Sequence, residues 1–452
     1  MEKKNNMTND SVNNSEVVIE RAIVLKFIKE IKDVNIKDRD SEQFAFISKR
    51  FLEMLKAVDI PDRIDPDHNL QLNQDQIAIG KAIEQKMKFG TIPDSSEIGE
   101  IYVKLGNIEY NRQNPKKSLE YYDKSLEINK INPDAWYNKG SIFKNLGMYE
   151  DALWCYDKVL EINKNNEIAW NHKGHVLNIL GRFKEALSCH EKAIEINPEY
   201  ALAWSDKGFV LAKLGRFEEA LQCIDKALNL NKNNEIAWNN KGSALKALGR
   251  IEEALECYNK ALEINPEYEK ALNNKGHVLI DIGRFEEALD CYDKVLEIKG
   301  YDEIIMINKG HALNSLGRFD LAILCFDKVL QINPYNEMAL NNKGHALIGL
   351  GKFEEALQCF DKALEIKPYN AFLWINKGSA LGGLGKFKEA LECFDKALEL
   401  DPLQEKTWFN KGLALEHLSR FKDALVCFEK ALEINPNFKA AKDHKKMFEG
   451  LE

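Results

Sequence analysis

The sequence predicts an all-α solenoid built from one helix–turn–helix repeat copied many times. Three observations carry this. All nine cysteines, from Cys155 to Cys427, lie 34 residues apart. A glycine recurs at the same interval from Gly140 to Gly412, and an alanine follows each one twelve residues later. Within each interval the apolar residues are spaced as on two short helices. A fixed period of this length marks a repeat architecture, in which each copy buries its apolar face only against its neighbours.

Residues 235–268 show why one repeat folds as it does. Trp238, Gly242, Leu245 and Leu248 share one helical face. Gly249 ends that helix, because glycine readily takes the left-handed backbone that closes a C-terminus. Ile251, Ala254, Tyr258, Ala261 and Leu262 form the apolar face of a second helix. Pro266 stops it, since proline cannot continue the hydrogen-bond ladder. The small Gly242 and Ala254 allow the two helices to approach closely. Ten such repeats fill residues 99–438 without insertion or deletion, the first at 99–132 and the last at 405–438. Asn-Lys-Asn-Asn-Glu-Ile-Ala-Trp at 163–170 returns at 231–238, which fits duplication of paired repeats.

The repeat resembles the tetratricopeptide repeat (TPR). Trp-x-x-x-Gly-x-x-Leu, then Ala-x-x-x-Tyr-x-x-Ala and Pro, matches that family at nearly every signature place, over all of 99–438. The resemblance implies a right-handed superhelical solenoid of antiparallel helix pairs, its concave groove lined by the first helix of each pair. Three departures stand out. Lysine precedes the glycine where the family usually has leucine, from Lys139 to Lys411. Ser118 and Ser125 replace alanine in the first repeat, and Ser419 replaces the turn glycine in the last.

Outside the repeats the pattern is weaker. Residues 1–15 have a disordered composition. Within 16–98, a helical segment of unknown role, Val24, Phe27, Ile28 and Ile31 mark one amphipathic helix. Phe44, Ile47, Phe51, Met54 and Val58 mark a second, and a third is expected from Asn73 to Phe89. These helices make either a small domain or a cover for the end of the stack, the cover being the simpler reading. In 439–452, Ala441, His444, Phe448 and Leu451 share one face of a charged helix, expected to cap the last repeat.

Charge and chemistry exclude several functions. The net charge is −9 with both signs interspersed, against the clustered basic footprint that nucleic acid requires. The polar N-terminus lacks the apolar core of a secretory signal. Val17 to Ile31 carries too many charges to span a membrane. The expected location is cytoplasmic. Disulfide partners need Cα atoms within about 7 Å, but equivalent residues on stacked helices sit roughly 9–10 Å apart. The cysteines therefore read as buried apolar side chains. The same spacing keeps His175, His277, His311 and His345 from converging on a metal, and favours a polar lining with a mild pH response. Gly382-Gly383-Leu384-Gly385-Lys386 is the repeat's own turn. Ala380 and Phe387 stand where a phosphate loop needs Gly and Ser or Thr. The chain reads as no enzyme, with no cofactor and no metal.

The candidate site lies on the first helices. Two places before the glycine stand Asn138, Asn240, Asn274, Asn308, Asn342, Asn376 and Asn410. Asparagine offers a donor and an acceptor to the backbone of an extended peptide. The resemblance implies such a use in the TPR portion of O-linked N-acetylglucosamine transferases; the competing reading is a solvated helix face. Toward the C-terminus the lining turns apolar at Ile307, Phe372, Ile375, Phe409 and Leu413. These are expected either to dock a partner or to pack against the N-terminal segment or a second copy of the chain. The carboxylate clamp of some TPR proteins needs lysine where this chain has residues such as Tyr137, Asn239 and Ile375, so that clamp is missing. The expected function is a non-catalytic scaffold binding a peptide or helix of another protein. The alternative is a targeting subunit for an enzyme carried on another chain. Each lysine before the glycine is expected to lie along the seam between repeats and pair with one of the acids that recur in the second helices, such as Asp157 or Asp327.

Overall fold

The structure, a computed structural model, describes residues 96–448. The helices expected before residue 96, the side chain of Phe448 and Leu451 lie outside the described residues. Every described element is an α-helix or the turn joining two helices. The chain divides into two compact parts between Lys232 and Asn233.

The N-terminal part holds four helix pairs: α1 (Ser96–Asn111) with α2 (Pro115–Ile128), α3 (Pro133–Asn145) with α4 (Tyr149–Ile162), α5 (Glu167–Ile179) with α6 (Phe183–Ile196), and α7 (Ala201–Lys213) with α8 (Phe217–Leu230). The C-terminal part holds six more: α9 (Glu235–Ala247) with α10 (Ile251–Ile264), α11 (Glu269–Asp281) with α12 (Phe285–Lys299), α13 (Glu303–Ser315) with α14 (Phe319–Ile332), α15 (Glu337–Gly349) with α16 (Phe353–Ile366), α17 (Ala371–Gly383) with α18 (Phe387–Leu400), and α19 (Glu405–His417) with α20 (Phe421–Ile434). A last helix, α21 (Lys439–Phe448), follows.

Local rules set the ends. Asn166 caps α5 by accepting from the Ala169 N–H at 3.0 Å, satisfying one of the donors a helix start leaves open. At the other end Gly181 has φ +73°, and the Arg182 N–H reaches back to the Leu177 carbonyl at 2.9 Å. This is the left-handed C-terminal closure expected of the turn glycines. Ser419 keeps the same turn at φ +58°, with Arg420 N–H bonded to the Leu415 carbonyl at 2.9 Å, at a conformational cost glycine avoids.

Close packing follows from the small residues. A Cβ on Gly242 would lie 2.7 Å from the Tyr258 ring, so only glycine lets that aromatic side chain seat against α9. Ala254 and Tyr258 are buried beside it. In the first pair Ser118 and Ser125 are buried and donate to the carbonyls of Gly106 and Gly99 at 2.7 and 2.8 Å. Their hydroxyls are satisfied across the helix pair, which explains how serine stands in for alanine. All nine cysteines are buried, and burial pushes the thiols of Cys393 and Cys427 up to about 11. They behave as small apolar side chains.

Candidate protein-interaction surface

Most lysines before the glycine pair as their position suggests; Lys275 has Asn259 at the corresponding place. In the N-terminal part Lys139 meets Asp123 at 2.5 Å, Lys173 meets Asp157 at 2.6 Å and Lys207 meets Glu191 at 3.1 Å. In the C-terminal part Lys309 pairs with Asp293, and Lys343, Lys377 and Lys411 pair with Asp327, Asp361 and Asp395 at 2.5–2.6 Å. Each stem also runs beside the first helix's aromatic residue where there is one. The Lys173 ammonium, for example, is 5.6 Å from the Trp170 ring centroid. These lysines hold the seam between repeats.

The asparagine row is likewise tied between repeats. Asn274 donates to the Asn239 side chain at 2.9 Å, and Asn376 donates to Asn341 at 2.8 Å. Asn308 reaches Asn273 at 3.5 Å and the His277 ring at 3.2 Å. In the N-terminal part Asn138 donates to Asn107 at 3.0 Å and is fully buried. The amide donors of Asn138, Asn274, Asn308 and Asn376 therefore tie their repeats to the one before. Asn240, Asn342 and Asn410 are half-buried on the same helical position. Where histidine follows the glycine, burial and nearby positive charge hold the His277 and His311 rings below the ordinary imidazole value.

The apolar residues part company. Ile307 is buried in the core of its repeat and presents nothing to a ligand. Phe409 is covered by the end of the chain: its ring lies 5.1 Å from Phe438 and 5.5 Å from His444 of α21. His444 in turn bonds Glu416 at 3.0 Å, and Ala441 is fully buried. Phe409 thus seats the terminal helix. Leu413 packs in the same cluster, and Ile375 is half-buried. Phe372 alone of the five is largely open, at 63% exposure.

Around Phe372 lies a surface that the helical pattern did not disclose. Tyr301, Tyr335 and Tyr369 occupy equivalent turns ahead of α13, α15 and α17, at 43%, 77% and 84% exposure. Three residues further on, Ile304, Met338 and Phe372 are exposed at the start of those helices. The two rows recur at 34-residue intervals over three successive repeats, with Leu403 exposed at the next turn. Earlier turns carry Asn165, Glu199, Asn233 and Glu267, with an exposed Ile131 at the first. On each helix the second residue shares its face with those three, four and seven places on. Phe372 thus lies on one face with Ile375, Asn376 and Ser379, and Met338 with Asn341, Asn342 and His345.

A tetratricopeptide-repeat profile matches at 133–166, 168–200, 201–234, 236–268, 269–302, 305–336, 338–370, 371–402 and 405–438, and a second profile of the same family matches 99–132. The chain belongs to the tetratricopeptide repeat family. TPR repeats imply a protein-interaction scaffold. An uncharacterised protein of Methanocaldococcus jannaschii is 41% identical over 56 residues, 12% of this chain and 65% of that relative. Among solved structures, the Cut9–Hcn1 hetero-tetramer of APC/C is 15% identical, with a TM-score of 0.45 over 90% of this chain and 93% of that one. The type IV pilus biogenesis factor PilW is 21% identical, with a TM-score of 0.43 over 46% and 96% of the two chains. Nothing about partners follows from likenesses of that degree. No helix among the described residues is long and apolar enough to cross a membrane.

Proposed function

We propose that the chain is a non-catalytic scaffold that holds a peptide or helix of another protein on the first-helix face of its C-terminal part. The observation that carries this is the double apolar row of Tyr301, Tyr335 and Tyr369 with Ile304, Met338 and Phe372. Singly exposed apolar residues are ordinary, but a contiguous exposed apolar surface on a protein usually marks an interaction site. Aromatic side chains at its centre would supply most of the binding energy. Asn308 and Asn376 beside the rows have each spent an amide hydrogen on the preceding repeat. Their carbonyl oxygens remain the groups suited to hold backbone N–H groups of an extended ligand, each worth about 0.5–1.5 kcal/mol.

The test is capture of the partner from native cells by the tagged full chain. Replacing Tyr369 and Phe372 together by serine should lower capture at least tenfold while leaving helicity unchanged. Equal capture by the double variant would contradict the assignment.

A further inference from the structure

Most first helices carry tryptophan at their fourth place, and the chain builds a fixed setting around each ring. Trp374 donates its indole N–H to the Pro368 carbonyl at 2.9 Å, with the Lys377 and Lys396 ammoniums 5.5 and 4.4 Å from the ring centroid. Trp408 repeats this with the Pro402 carbonyl at 3.0 Å and with Lys411 and Lys430 at 5.3 and 5.5 Å. Trp238 is flanked in the same way by Lys241 and Lys260.

In the repeat 337–370 the setting is retained and the ring is gone. Leu340 stands in the tryptophan's place, while Pro334, Lys343 and Lys362 occupy the positions of Pro368, Lys377 and Lys396. A cleft of about 390 Å³ opens there between α14, α15 and α16, lined by Pro334, Leu340, Lys343, Cys359 and Lys362. That volume lies at the low end of small-ligand sites, roughly 300–1,000 Å³. Among the described residues no group donates to the Pro334 carbonyl.

We propose that this cleft takes the indole ring of a partner's tryptophan. The chemistry of the walls selects it. Flanking ammoniums favour the face of an electron-rich ring. The exposed Pro334 stands where Pro368 and Pro402 accept from an indole N–H, and indole is a donor with no acceptor of its own. Anions are disfavoured, because Lys343 is already neutralised by Asp327 at 2.6 Å and Glu355 also lines the cleft. The cleft is open at the surface, so a ring carried on a polypeptide gains contacts with the flanking helices that a free indole cannot make. The inference rests on the reading of the chain as a protein-binding array, and adds a contact apart from the apolar rows.

The full chain, labelled with ¹³C at the leucine methyls, is titrated with a capped Gly-Gly-Trp-Gly-Gly peptide and with Gly-Gly-Ala-Gly-Gly. The tryptophan peptide should move the methyl signals of Leu330, Leu340 and Leu347 upfield by ring current, and the alanine peptide should not. Leu340→Trp fills the cleft from within, so the Leu330 and Leu347 shifts should fall at least fivefold. Lys362→Met leaves the cleft open but removes an ammonium, and should weaken binding several-fold even if the first variant folds poorly. Absence of shifts, equal shifts with the alanine peptide, or shifts untouched by both variants would overturn the proposal. Response to free indole without response to the peptide would overturn the assignment to a partner chain. Because the peptides are synthetic, none of these outcomes depends on the partner captured by the apolar rows.

Discussion

Lys173 on α5 reaches back to Asp157 on α4, its ammonium 2.6 Å from the carboxylate, across the boundary between two successive repeats. The same link recurs at 34-residue intervals, so it belongs to the rule by which repeats stack. Its partners are half open to solvent, and such pairs contribute about 0.2–1 kcal/mol each. A double-mutant cycle with Lys173→Met and Asp157→Asn should return a coupling in that range, read from urea unfolding, and shrinking in 1 M salt. A coupling near zero would make the link a by-product of packing.

His190 supplies a pH dependence confined to the N-terminal part. It stands where other second helices carry Tyr156 or Phe326, is fully buried, and bonds Asn171 at 2.7 Å. Burial lowers its pKa, against an upward pull from Asp206 and with a small downward push from His175. The folded chain therefore binds this proton less readily than the unfolded chain. The contribution is fully present above the unfolded value of about 6.5 and is lost as pH falls below it, by up to ~1.4 kcal/mol per pH unit. His190→Tyr should shrink the drop in urea midpoint between pH 7 and pH 5. An identical drop in wild type and variant would contradict this.

Two helix glycines should respond to alanine with opposite signs. At Gly242 the new Cβ meets Tyr258 at 2.7 Å, and overpacking of that kind costs about 1–3 kcal/mol. At Gly382 on α17 nothing lies within 4 Å, and alanine gains up to about 1 kcal/mol of helix propensity. Thermal melts should show Gly242→Ala lowered and Gly382→Ala raised. The same sign for both would mean that propensity, not the seating of Tyr258, governs the first.

The helix pairs, the turn glycines, the buried cysteines and the lysine–acid links were legible because each depends on position within a repeat. Burial by a terminal element was not. Phe409 shares its helical register with the buried Tyr137, Asn239 and Ile307 and the half-buried Ile375, and the docking of α21 adds to its cover. Ile307 read as lining for the same reason, although its repeat takes it into the core. The asparagines read as ligand contacts because each was considered on its own helix. Asn274 and Asn376 donate to side chains 35 residues back, one repeat and one residue away, a pairing no single helix displays. Tyr301, Tyr335 and Tyr369 sit in turns, outside the helical periodicity. Comparing turn residues at 34-residue steps would have revealed them.

The central claim is that a partner protein lies along these tyrosines. Site-specific photocrosslinking tests it most directly, with benzoylphenylalanine placed in the full chain at Tyr369 or at the exposed Glu365 of α16, in native cells. We expect a discrete adduct with one partner from position 369 and none from 365, and loss of the 369 adduct when Phe372 is also replaced by serine. No adduct at 369, or equal adducts at both positions, would contradict the claim.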